Sequence, residues 1–278
     1  MKTLYITDLD GTLLNAGAEV SDYAAETMNR LIAGGVHISV ATARTAATAL
    51  PILSRVNFNT PLIMMNGVLV YDPVSRRYIR KEVISGEIAG KFISAMHEAG
   101  QPGLMYTLCG EDMRTYYEPD VNDALKAFIE ERRIRYSKSF TETDDFASIE
   151  DEVIYFCFLD KYENIRKFQT LVGSVEGIHI ALSRNIYSEG QWFIEVFNSA
   201  ASKRNATMFL REYGGYDRVV GFGDDFPDIS LFEACDECYA MENAIEELKK
   251  AATGVIGRNS DDGVVKWIAE DCRKNSEM

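Results

Sequence analysis

Apolar side chains recur in two rhythms along this chain, and the switches between them mark the elements. Thr3 to Thr7 is a short apolar run of strand type, and Asp22 to Ala33 carries its apolar positions at helical spacing, with Gly34 and Gly35 ending the helix. Val36 to Thr42 is apolar on both faces, as a strand of a buried parallel sheet must be. Thr45 to Arg55 reads as a second helix, interrupted at Pro51, and Pro61 to Asn66 as a third buried strand. Val68 to Asp72 and Arg77 to Val83 form a hairpin. This strand–helix alternation predicts an α/β fold, a doubly wound and mainly parallel sheet.

The middle of the chain has another character. Gly86 to Ala99, Ala124 to Arg132 and Tyr162 to Leu171 read as helices. Leu104 to Cys109, Glu152 to Leu159, Ile178 to Ser183 and Trp192 to Asn198 read as strands. From Ser202 the first rhythm returns: a helix to Tyr213, the buried strand Arg218 to Gly223, and a helix from Ile229 to Ala234. Cys238 to Met241 and Gly254 to Gly257 follow as strands, with helices over Ala244 to Ala252 and from Gly263 to about Arg273. The order predicts a discontinuous core domain, 1–84 and 188–278, interrupted by an inserted α+β domain, 85–187. The crossovers fall near Lys81–Glu87 and Tyr187–Gln191.

Charge narrows the function. Against 29 basic residues stand 43 acidic ones, a formal balance of −14. Nucleic-acid affinity comes mainly from phosphate neutralisation by Lys and Arg, so a nucleic-acid partner is not expected. A small anionic ligand is compatible, because salt confines exposed charges to about 8 Å. No apolar run is long enough to span a membrane, and no export signal precedes the first strand, which points to the cytoplasm. Five cysteines, an odd number, then read as free thiols. Cys235 and Cys238 have the spacing of half a zinc site but no second pair. The composition says nothing of the oligomeric state.

Candidate chemistry lies at the carboxyl ends of the predicted core strands, where open parallel sheets bind ligands. The first strand runs into Asp8-Leu9-Asp10-Gly11-Thr12, the second into Thr42-Ala43-Arg44, the third into Asn66-Gly67. The strand Arg218 to Gly223 leads into Asp224-Asp225-Phe226-Pro227-Asp228, and Lys203 opens the helix before it. Taken singly, each has a plain reading. An Asp-x-Asp-Gly is often a turn, Thr42 a strand-end hydroxyl, Lys203 a solvated helix-start lysine, and Asn66 and Asn243 loop caps. Arg44 either binds a substrate or pairs with an acid. His37, His97 and His179 lack metal spacing and read as structural, Trp192 and Phe193 as packing, and Glu142 to Asp145 as a solvated turn. Together the strand ends place acids, two cations and small residues on one sheet edge.

On these motifs the chain resembles the haloacid dehalogenase superfamily phosphatases, in their Cof-type branch with a type IIB cap. Asp8 to Leu14 matches the first motif, Thr42-Ala43-Arg44 the second, Lys203 the third, and Gly223-Asp224 with Asp228 the fourth. Asn66-Gly67, Met241 with Asn243-Ala244, and Asp262-Gly263-Val264 match further positions of that branch, and the insertion lies where its cap belongs. The resemblance implies a Mg²⁺-dependent phosphatase of small phosphorylated metabolites such as sugar phosphates. It makes Asp8 the nucleophile that becomes an aspartyl-phosphate, Asp10 the general acid and base, and Lys203 a supporting cation. Gly11, Thr12, Thr42, Ala43, Arg44 and Asn66 would contact the phosphate or substrate. Asp8, the backbone carbonyl of Asp10, Asp224 and, from behind, Asp228 would serve the metal, and the cap would close over the site. Pro227 stands where the family usually has Asn, removing an amide side chain and a backbone N–H at the metal site, for which Asp225 would be the compensating group; Ala43 replaces Gly. Two further readings stay open: a phosphomutase of the same architecture and a non-catalytic binding protein. Cap residues set the substrate; Tyr117, Arg184 and Tyr187 are its candidates.

Overall fold

The computed structural model describes residues 1–185 and 190–276, the last two of these by backbone alone. In chain order its first segment is β1 (Thr3–Thr7), α1 (Asp22–Ala33), β2 (His37–Val40), α2 (Ala46–Leu53), β3 (Leu62–Met64), β4 (Leu69–Asp72) and β5 (Arg77–Lys81). The insertion follows: α3 (Gly86–Ala99), β6 (Leu104–Cys109), β7 (Asp112–Tyr117), α4 (Asp123–Tyr136), β8 (Thr141–Glu142), β9 (Glu152–Lys161), α5 (Tyr162–Val172), β10 (Ile178–Arg184) and β11 (Gln191–Asn198). The chain returns through α6 (Lys203–Gly214), β12 (Arg218–Gly223), α7 (Asp228–Phe232), β13 (Glu237–Met241), α8 (Glu246–Ala251), β14 (Gly254–Ile256) and α9 (Gly263–Ser276).

The first compact unit comprises Met1–Arg80 and Ser202–Met278. Its sheet has the order β14-β13-β12-β1-β2, all parallel. The central strands are apolar on both faces because helices cover both: Leu4, Ile6, Val219, Val220 and Phe222 are fully buried. From β1 the chain first winds one way, to β2; after the insertion it winds the other way, through β12, β13 and β14. The crevice at this reversal lies between β1 and β12, whose register pairs Thr7 with Phe222. Asp8 and Gly223 therefore leave the sheet side by side.

One strand departs from the predicted sheet. β3 pairs antiparallel with β4, in a small sheet β3-β4-β5, and meets the parallel sheet only through a bridge between Ala41 and Ile63. Its five-residue spacing from β4 favours the local hairpin.

The second unit is Lys81–Ala201. Its sheet, β10-β11-β9-β6-β7-β8, is antiparallel except where β8 joins β7. Phe92 of α3 and Phe168 of α5 pack on Phe156 and Phe158 of β9, ring centroids 4.6–6.2 Å apart. Each such buried ring contributes about 1.5–3 kcal/mol. β7 is a strand that the apolar spacing does not predict, its sequence Asp-Met-Arg-Thr-Tyr-Tyr being largely polar. The observed division also differs from the expected second boundary at 187/188, part of which lies outside the described residues. Gln191–Asn198 hydrogen-bonds to β9 on one side and β10 on the other, so this strand belongs to the insertion and the chain leaves it at Ala201.

Candidate active site

Asp8 follows the last residue of β1, and its amide donates to the carbonyl of Phe222 at 3.0 Å, extending the ladder by one residue. The chain then turns through Gly11, whose φ is +81°. A Cβ there would stand 2.2 Å from Asp224 Oδ2, so glycine is required both for the angle and for the close approach. Thr12, expected at the phosphate, instead donates its hydroxyl to Asp224 Oδ1 at 2.7 Å. Asn243 Nδ2 donates to the Gly11 carbonyl, and Asn259 donates from its side chain to Leu14 and from its amide to Asn243 Oδ1. Asn243 is thus a loop tie, as read from the sequence. Asn259 went unnoticed, since one Asn in a polar loop carries no signal of its distant partner.

Lys203 is the largest departure from its plain reading. It is only 3% exposed. Ser202 caps α6 by accepting from Asn205, and the lysine projects inward, donating to Asp8 Oδ1 and Asp228 Oδ1, each at 2.7 Å. Gly67 makes room: its φ is +93°, and a Cβ would lie 2.2 Å from the Ser202 carbonyl oxygen. Asn66, buried at φ +56°, donates its amide to the carbonyl of Thr42, and the Met65 amide donates to that of Arg44. The second and third strand ends are tied together in this way. Thr42 is buried and its hydroxyl accepts from the Arg44 amide, while Ala43 is exposed.

Asp224, Asp228 and Asp8 converge so closely that one carboxylate oxygen from each lies within 4.8 Å of the others. Asp228 Oδ2 accepts from the amides of Asp224 and Asp225, at 2.9 and 3.2 Å, and this closes the loop with Pro227 in place. The φ of Pro227, −59°, is the angle its ring imposes. Asp225 is exposed and its carboxylate accepts from the Phe226 amide, so it stands outside the cluster. Asp10 is paired with Arg44, which donates from Nε to Oδ2 at 2.7 Å and from Nη2 to Oδ1 at 2.6 Å. Of the two readings of Arg44, the structure shows the acid pair.

Electrostatics follow from burial. Burial pushes the Asp8 carboxyl well above the ordinary carboxylate range; Lys203 opposes this, and Asp228, Asp224 and Asp10 add to it. Burial, with repulsion from Asp228 and Asp225, pushes Asp224 up to about 7, against the Thr12 hydrogen bond. Burial alone would lower Lys203, yet Asp228 and Asp8 hold it above the usual lysine range. Lys203 thus opposes the crowding of three carboxylates, bonding two of them. A divalent cation bound by oxygen donors would relieve the excess charge, and the donor set fits a hard ion of that kind.

The other candidates have surroundings of their own. Tyr117 ends β7 with the Arg133 guanidinium 5.9 Å from its ring centre, and Arg184 ends β10 in an exposed position. Tyr187 lies outside the described residues. His37 packs edge-on against Tyr216 and His179 against Phe197. The Cys235 and Cys238 thiols donate to the carbonyls of Leu231 and Ala251. Among the described residues no helix is long and apolar enough to cross a membrane.

Comparison with known proteins agrees with this geometry. Residues 5–268 match the model of the haloacid dehalogenase-like hydrolases. A pyridoxal phosphate phosphatase of Escherichia coli is 26% identical over 271 residues, covering 94% of this chain and 95% of its own. A 5-amino-6-(5-phospho-D-ribitylamino)uracil phosphatase of Bacillus subtilis is 21% identical over 270 residues, covering 96% of each. In fold, the chain superimposes on a crystal structure of a haloacid dehalogenase-like hydrolase from Bacteroides thetaiotaomicron with a TM-score of 0.81. That match has 23% identity and covers 97% of this chain and 99% of that one.

Proposed function

Because the chain belongs to the family of haloacid dehalogenase-like hydrolases, we propose that it is a phosphoric monoester hydrolase of small phosphorylated metabolites, with Asp8 as its nucleophile. The observation that carries this reading is the convergence of Asp8, Asp224 and Asp228 at the switch point of the sheet, with Lys203 bonded to Asp8 and Asp228. An Asp8 oxygen attacks phosphorus, the bond to the leaving oxygen breaks, and Asp10 gives that oxygen its proton. Water then attacks the aspartyl-phosphate, Asp10 takes a proton from it, and inorganic phosphate leaves. Such proton transfer is worth about 10²–10⁴-fold in rate.

Phosphoryl transfer asks the protein chiefly for position and charge. Lys203 holds Asp8 in place and opposes the upward push that burial gives its carboxyl, and Arg44 fixes the plane of the Asp10 carboxylate. Thr42, Ala43 and the Gly11–Thr12 turn line the edge to which the phosphate comes, with Asn66 supporting the Thr42 loop. Mg²⁺, held by Asp8, Asp224 and the Asp10 backbone carbonyl with Asp228 behind, would supply the charge neutralisation that the three carboxylates and the phosphate demand.

The names of the two phosphatases described above suggest where to look for substrates, namely phosphate esters of sugar alcohols and of heteroaromatic alcohols. A panel of phosphorylated metabolites, assayed for free phosphate with Mg²⁺ or with EDTA, tests the proposal. Sustained Mg²⁺-dependent release from at least one monoester is expected, and Asp8→Asn should abolish it while the protein stays folded by circular dichroism. Isomer formation without phosphate release would assign a mutase instead. Equal turnover by Asp8→Asn would overturn the mechanism.

A further inference from the structure

A second convergence of donor atoms lies wholly within the insertion. His97 sits in the last turn of α3, Glu118 just past β7, and Asp145 in the connection from β8 to β9. One ligand atom from each lies within 4.8 Å of the others. His97 Nε2 is 2.9 and 3.0 Å from the two Glu118 oxygens. The geometry is braced from behind. Phe146, buried in the insertion's core, donates its amide to Glu118 Oε1 at 2.9 Å, and Asp145 Oδ1 accepts from the Ala147 amide at 2.8 Å.

A hydrogen-bonded imidazole–carboxylate pair on a surface contributes at most about 1 kcal/mol, and it has no use for a second carboxylate beside it. Asp145 is nevertheless brought there, and among the described residues no lysine or arginine forms an ion pair with it or with Glu118. Two carboxylates and an imidazole nitrogen on three separate elements form a mixed nitrogen–oxygen donor set. Mg²⁺ and Ca²⁺ prefer oxygen alone, whereas imidazole with carboxylate suits Zn²⁺ and its first-row neighbours. Ligand atoms about 2.1 Å from a tetrahedral zinc stand ~3.4 Å apart, so the present spacing needs only small rotations. His97 and Asp145 are exposed, which leaves solvent to complete the coordination.

We propose that His97, Glu118 and Asp145 bind a divalent transition-metal ion, Zn²⁺ fitting best, that ties the end of α3 to the end of β7 and the β8–β9 connection. The site is independent of the phosphatase reading, since it shares no residue with the cluster of Asp8, Asp224 and Asp228.

The test uses the full chain, stripped with EDTA and returned to a large excess of Mg²⁺ so that oxygen-only sites are filled. Calorimetric titration with Zn²⁺ should show one equivalent bound, weakened about tenfold or more in His97→Ala and Asp145→Asn. Co²⁺ should give visible d–d absorption bands in the wild type that His97→Ala loses. His97 is exposed, so the variant should fold, and His97→Gln provides a second, larger replacement. Failure of the wild type to take up Zn²⁺, or equal affinity and an unchanged Co²⁺ spectrum in the variants, would overturn the site.

Discussion

A buried lysine between two carboxylates is costly to build, since each charge loses its water. Lys203 compensates by making a 2.7 Å hydrogen bond to each of Asp8 and Asp228, and the loop amides of Asp224 and Asp225 satisfy the far oxygen of Asp228. Arg44 works differently. It is planar, and its fork meets both oxygens of Asp10, so it fixes the carboxylate's orientation as well as its position. A lysine there would keep the charge and lose the plane. Arg44→Lys is therefore expected to lower kcat about 10–100-fold with little change in stability. Steady-state phosphate release beside a thermal melt checks this; full activity in the variant would deny Arg44 a positioning role.

At the scale of elements, the turn after β1 is the most constrained piece of backbone in the core. Gly11→Ala puts a methyl group against Asp224 and forces φ +81° on an alanine. The backbone penalty is about 1–3 kcal/mol, and Asp224 must move. The expected result is a folded protein whose requirement for Mg²⁺ rises at least tenfold, read from activity against Mg²⁺ concentration. In the connection from α4 to β8, burial lowers the Lys138 ammonium to about 7, and the Arg132 charge adds to this while Cys157 opposes it. The Nζ of Lys138 lies 4.3 Å from the Tyr106 ring centre. Below the folded value Lys138 is charged in both states and the whole penalty, up to about 5 kcal/mol, stands. Between about 7 and the ordinary 10.5 the unfolded chain holds a proton that the folded chain has lost, so stability rises with pH. Lys138→Met should remove that rise and stabilise the protein most at and below neutrality, as urea melts across the pH range will show.

For the whole molecule, the crevice where the sheet reverses direction gathers residues from both ends of the chain. Asp8 and Lys203 are separated by 195 positions, and Asn243 and Gly11 by 232. Such a site forms only once the core sheet has closed, so its charge excess bears on global stability. If the cluster takes Mg²⁺ as proposed, binding to the folded state alone stabilises by about 2.7 kcal/mol at a hundred times the dissociation constant. Thermal melts in EDTA should accordingly shift upward by several degrees on adding Mg²⁺. Asp224→Asn should abolish the shift. An equal shift in that variant would place the ion elsewhere.

The run of apolar positions was enough to define β1, α1, α3, β6 and β12 nearly to the residue, because a helix or strand buried on a face needs a pattern that neighbours in sequence supply. The strand-end motifs likewise pointed to the edge on which Asp8, Asp224 and Lys203 meet, since each sits beside its own element. What the linear order could not hold was partnership. Thr12 on Asp224, Arg44 on both oxygens of Asp10, Asn259 behind Asn243, and the placement of Gln191–Asn198 in the inserted sheet depend on segments brought together from far apart. His97, Glu118 and Asp145 show the same limit: their spacing in the chain signals nothing, and only packing around Phe146 sets their donor atoms face to face.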